Sequence, residues 1–156
     1  MSLTRPILPR GPRGRERESV LRRTREEVRA RSAGRCQWPG CSRQGTDLAH
    51  GWGRRHIIGQ PLCDHPALCW WACREHHDLY DGRVPATPAD LDAEEALQWD
   101  MWTRAVADLG VDGSAWLPVA HGITYEGRYA QPIDAVRWLE RRLKETGVIR
   151  AGRWAE

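Results

Sequence analysis

All five cysteines of the chain fall between Cys36 and Cys73, and five of its six histidines fall between His50 and His77. This stretch, 36–83, is rich in turn residues and tryptophan and poor in long periodic segments. A segment of 48 residues with that content cannot bury much aliphatic surface, so something other than a conventional core must hold it together. The longest continuous apolar run, Ala67 to Cys73, is far below the roughly 20 residues that cross a bilayer. The opening MSLTRPILPRGPRGR has no apolar segment behind it and makes no secretory signal, so the expected compartment is the cytoplasm. In a reducing compartment, clustered cysteines with histidine among them point to a metal site rather than to disulfides.

Cys36 and Cys41 bracket a turn containing Pro39 and Gly40, and Cys73 and His76 stand three apart at the start of an expected helix, ACREHHDLYDG. Together Cys36, Cys41, Cys73 and His76 make a tetrahedral zinc set that staples the two ends of the segment. Taken singly, each cysteine reads better as a small hydrophobe buried in a tryptophan-rich core. A rival ligand set would use Cys63 or Cys69, since Cys69 and Cys73 could share one helical face.

Charge divides the chain. Residues 1–35 carry 11 Arg against 4 Glu, residues 36–83 are neutral, and residues 84–156 carry a net −4, for an overall +3. Only the N-terminal part is a credible footprint for a polyanion, although a basic arm can equally be a solvated tail. Residues 1–18 read as a disordered basic arm, and Ser19 onward as a basic helix ending near Gly34, with Val20, Leu21, Thr24 and Val28 as a partial apolar stripe. With the metal-stapled segment, that helix makes a unit over 19–83. Residues 84–156 read as a helical extension packing on it. There Thr87 is an expected N-cap and Pro88 the first residue of a helix. Its apolar face runs through Leu91, Leu97, Met101, Trp102, Ala105, Val106 and Leu109 to Gly110. An irregular piece with Trp116 to Tyr129 and a last helix with Ile133, Val136, Leu139 or Glu140 and Leu143 follow. Adjacent Trp70 and Trp71 could serve a protein partner, or divide between core and partial exposure.

His77 follows His76 directly, and neighbouring helical side chains diverge by about 100°. His76 can therefore face the structural ion while His77 faces a neighbouring groove. His50 lies between the two ligand pairs, just before Arg54 and Arg55. An imidazole to take a proton, another to hold a divalent ion, and a guanidinium for a phosphate are the parts that hydrolyse a phosphodiester. His56 reads as a structural histidine with a ligand role as the alternative.

Over about 35–82 the chain resembles the HNH nucleases, the ββα-metal family, in their zinc-stapled branch common in bacteriophage and bacterial genomes. The resemblance implies an α+β fold: a small zinc-stapled ββα-metal motif, flanked here by the N-terminal basic helix and C-terminal helices. It implies His50 as general base at the end of the first hairpin strand and His77 as ligand of the catalytic ion. Arg54 or Arg55 takes the place of the basic residue that holds the scissile phosphate. Behind them, Cys36, Cys41, Cys73 and His76 match the zinc ligands. Two departures stand out. The residue before the base, commonly a metal ligand in the family, is Ala49, with Asp47 two residues further along on the same strand face. The family's central Asn has no counterpart in a chain without asparagine, leaving Asp64 or His65 for its loop contacts.

The expected function is a divalent-metal-dependent DNA endonuclease of low sequence specificity. It would carry structural Zn²⁺ and a catalytic ion, Mg²⁺ or alternatively Mn²⁺ or Ni²⁺, and act on double-stranded DNA. A phage DNA-processing or packaging protein, working in the host cytoplasm, fits the same pattern; the oligomeric state stays open. The alternative is a zinc-containing DNA-binding or structural protein of the same fold without cleavage activity.

Overall fold

The computed structural model describes residues 12–52, 62–113, 131–150 and 153–154. In chain order these give α1 (Pro12–Arg31), β1 (Asp47–His50), β2 (Cys69–Ala72), α2 (Arg74–Tyr80), α3 (Pro88–Asp108), α4 (Pro132–Glu145), β3 (Ile149–Arg150) and β4 (Arg153–Trp154). Short 3-10 turns, Leu62–Asp64 and Pro66–Leu68, lead into β2. The architecture is α+β. None of the described helices is long and apolar enough to cross a membrane.

At the centre lies a two-stranded antiparallel ribbon, with Asp47 opposite Ala72, Ala49 opposite Trp70 and His50 opposite Cys69. Alternate side chains leave opposite faces of a strand, so Asp47, Ala49, Trp70 and Ala72 share one face and Leu48, His50, Cys69 and Trp71 the other. The second face packs on α1 through Val28. The first carries the main core, where Trp70, wholly buried, meets Trp38 and the edge of Tyr80 of α2. A ribbon of only two strands is marginal alone; a helix on each face makes it a layer of a core.

Helix α1 starts at Pro12, seven residues ahead of the expected Ser19, so 12–18 are helical where sequence placed an arm. Proline suits a first helical turn, and the Arg and Glu that follow are good helix formers. The helix closes as expected at Gly34, whose positive φ of 72° lets its N–H reach the Arg29 carbonyl. Helix α3 begins with the expected Thr87 cap: its Oγ1 accepts from the Asp90 N–H, and the Asp90 carboxylate accepts from the Thr87 N–H at 2.8 Å. It buries Leu97, Met101, Trp102 and Ala105, whereas Leu91, in the first turn beyond the motif's edge, is exposed. In α4, Val136, Leu139, Glu140 and Leu143 are all buried; the Glu140 carboxylate accepts from Lys144 Nζ at 2.8 Å.

Helix α3 sits against the end of β1. Gly51 donates its N–H to the Leu68 carbonyl at 2.8 Å and passes so close to α3 that a β-carbon there would lie 2.7 Å from Met101 Cε and 2.9 Å from the Leu68 oxygen. Tyr80 Oη donates to the Gly51 carbonyl and accepts from Gln98 Nε2 of α3. Helix α3 therefore packs against the end of the ribbon beside His50. The expected irregular piece at 116–129 lies outside the described residues.

Candidate metal centre and the histidines around it

The turn from Cys36 to Cys41 is built by backbone bonds: Cys36 N–H to the Arg43 carbonyl and Cys41 N–H to the Trp38 carbonyl, both 2.9 Å, with Gly40 at φ 78°. Cys73 is the N-cap of α2, so His76 lies on the first turn of the same helix. The four donor atoms of Cys36, Cys41, Cys73 and His76 lie within 4.8 Å of one another. His76 Nδ1 is 3.2 Å from Cys73 Sγ and 3.6 Å from Cys36 Sγ. Zinc–ligand bonds of about 2.0–2.3 Å in a tetrahedron set donors roughly 3.5–3.8 Å apart, so the set fits zinc in number, type and spacing.

The electrostatics of His76 agree with a ligand role. Burial lowers the His76 pKa, which keeps its ring neutral and able to donate a lone pair. Burial likewise pushes the Cys36 thiol up to about 12, against smaller opposing backbone hydrogen bonds, so in the metal-free protein this thiol holds its proton at neutral pH. The Trp38 ring stacks on His76 with centroids 5.0 Å apart and planes 7° from parallel. Sequence gave no reason to single out Trp38, although its place inside the Cys36–Cys41 turn was the available signal.

The rival ligands are elsewhere. Cys69 begins β2 rather than sharing a helix with Cys73, and its thiol donates to the Cys63 carbonyl at 3.5 Å on the α1 side of the ribbon. Burial raises the pKa of both Cys63 and Cys69, as expected of packed thiols.

His76 and His77 diverge as helical neighbours do. His77 Nδ1 is 3.6 Å from Asp47 Oδ2, and His77 Nε2 is 3.6 Å from Asp81 Oδ2. Nδ1 is buried and, among the described residues, has no hydrogen-bond partner, and Arg74 also reaches the Asp47 carboxylate at 3.8 Å. A lone-pair nitrogen facing a carboxylate oxygen is a donor pair that suits a divalent ion. The expected ligand position, Ala49, is filled by a methyl group in the core.

His50 points the other way. Its Nε2 is 3.0 Å from Asp64 Oδ1, and the other Asp64 oxygen accepts from Arg17 Nε of α1 at 3.2 Å. The Asp64 backbone carbonyl accepts from the buried Thr24 Oγ1 at 2.8 Å. Burial on its own would raise the Asp64 carboxyl, but hydrogen bonds and charge from His50 and Arg17 outweigh it, and the net direction is down. His65, the other residue expected to order this loop, accepts from the Ala67 N–H at 3.2 Å and caps the second 3-10 turn.

His50 and His77 thus belong to separate networks on opposite faces of the ribbon, and among the described residues no hydrogen bond joins them. Arg54, Arg55 and His56 fall at 53–61, outside the described residues. On α1, Arg15, Arg17, Arg22 and Arg25 line one open cleft. Comparison of the chain with protein families, curated proteins and solved structures finds no match.

Proposed function

We propose that this chain is a divalent-metal-dependent DNA endonuclease of the HNH type, built on a zinc-stapled ββα unit. The observation that carries the reading is His50 at the end of β1, clamped to a buried carboxylate beside an arginine-lined helix, on a ribbon whose far side bears the three-cysteine, one-histidine cluster. In this reading His50, one-third exposed, accepts the proton of the attacking water. Arg54 or Arg55 holds the scissile phosphate, and the α1 arginines bind the DNA backbone with little base readout. His77, with Asp47 beside it on the other face of the ribbon, would hold a divalent ion, Mg²⁺ first, that when bound supplies Lewis-acid chemistry.

A second reading, a zinc-containing DNA-binding module without cleavage activity, is favoured by the buried Ala49 methyl and by the separation of His50 from His77. Plasmid nicking titrated with Mg²⁺, Mn²⁺ and Ni²⁺ distinguishes them. The endonuclease reading expects ion-dependent nicking, with the His77→Ala variant needing more ion. DNA binding with no nicking at any ion concentration supports the binding module.

A further inference from the structure

The His50 side chain ends in a chain of contacts that the endonuclease reading does not by itself require. Asp64 is almost fully buried, yet both its carboxylate oxygens are engaged, one by His50 and the other by Arg17 forty-seven residues away. Its backbone is pinned as well, by Thr24, and Arg31 of the same helix donates to the carbonyls of Pro66 and Cys69, the first residue of the second 3-10 turn and its C-cap, at 3.2 and 2.9 Å. Three side chains of α1 therefore fix the loop that presents the carboxylate.

An ionised carboxylate only accepts hydrogen bonds, so the imidazole nitrogen facing it must carry the proton. In the neutral ring that nitrogen is Nε2, which leaves the lone pair on Nδ1; among the described residues Nδ1 makes no hydrogen bond. We propose that Asp64, held in turn by Arg17, is a positioning residue for His50, fixing its Nε2–H tautomer and leaving Nδ1 as the basic nitrogen. The proposal rests on reading His50 as the general base, and it makes α1 a working part of the site as well as a charged surface. In catalytic triads a carboxylate paired with one ring nitrogen sets the tautomer and orientation of the histidine that serves as base.

The test uses the full chain loaded with zinc, with ¹⁵N-labelled histidine and the His50 signals assigned by their loss in His50→Gln. Read about two pH units above the ordinary imidazole value, wild-type His50 should be the Nε2–H tautomer. Asp64→Asn, whose amide can also donate, should move it toward Nδ1–H. The same variant should lower the nicking kcat by about 10- to 100-fold with KM nearly constant. Arg17→Gln should lower kcat by roughly 3- to 10-fold and Arg17→Lys should recover most of it, since Lys keeps the charge beside Asp64. If Asp64→Asn does not fold, the Arg17 pair reads the same relay from a half-buried position. A wild-type Nδ1–H tautomer, or a tautomer and kcat unmoved by both substitutions, overturns the proposal. A wild type that holds the Nε2–H tautomer but nicks nothing overturns the catalytic reading of His50 instead, so the two failures are distinguishable.

Discussion

Trp38 shows how much of the metal centre depends on a residue that is no ligand. Its ring covers the His76 imidazole on one side and meets Trp70 on the other, so it couples the donor set to the core. Replacing it with Ala should cost about 3–5 kcal/mol, the usual range for emptying a buried aromatic site, read as a lower urea midpoint of the zinc-loaded protein. Gly51 is constrained from the opposite sense: Gly51→Ala puts a methyl against the Leu68 carbonyl, which as backbone cannot swing away. A loss of about 1–3 kcal/mol is expected from overpacking, with zinc content unchanged; thermal melts and elemental analysis check both. At this scale the ligands were legible in sequence because two short spacings, Cys36 to Cys41 and Cys73 to His76, report local geometry. The pairing of His50 with Asp64 and Arg17 was not, since it joins three elements through separations that no periodicity encodes.

Among the elements, α1 departs furthest from what its composition suggests. Residues 12–18, read as part of a solvated arm, are helical; further along, Thr24 and Val28 of the expected apolar stripe are buried against the ribbon, and Arg31 is engaged by two carbonyls. Burial is the main cause of the lowered Arg31 pKa, with the neighbouring Arg104 acting in the same direction. The helix thus has a docked face and a charged one. Arg22→Glu with Arg25→Glu, both on the cleft side, should weaken DNA binding and flatten its salt dependence by about two phosphate contacts while leaving circular dichroism unchanged. An unaltered salt slope in a filter-binding assay would remove these arginines from the interface. Helix α3, by contrast, was readable from its ends, because Thr87, Pro88 and Gly110 act on their own few residues. The exposure of Leu91 was not, since it depends on where the partner surface stops.

For the whole molecule, a metal ion held by Cys36, Cys41, Cys73 and His76 would make folding and metal loading one event. The thiols bind as thiolates, and burial holds the Cys36 proton to about pH 12 in the metal-free chain. The sign follows: binding zinc releases protons, and affinity falls as pH falls because protons compete for the same sulfur. Calorimetry in two buffers of different ionisation enthalpy should show that release, and a strong chelator should unfold the ribbon and α2. One zinc per chain is expected; a metal-free protein that stays fully folded would remove the staple. The measurement that bears most directly on function is plasmid nicking by wild type and His50→Ala, at matched zinc content and across a divalent-ion titration. The expected result is ion-dependent nicking by wild type and a loss of about 100-fold or more in the variant, within the range a general base supplies, with DNA affinity and zinc content nearly equal. A wild type that nicks, paired with a His50→Ala variant that keeps its full rate at every ion concentration, would contradict the assignment of His50 as the base.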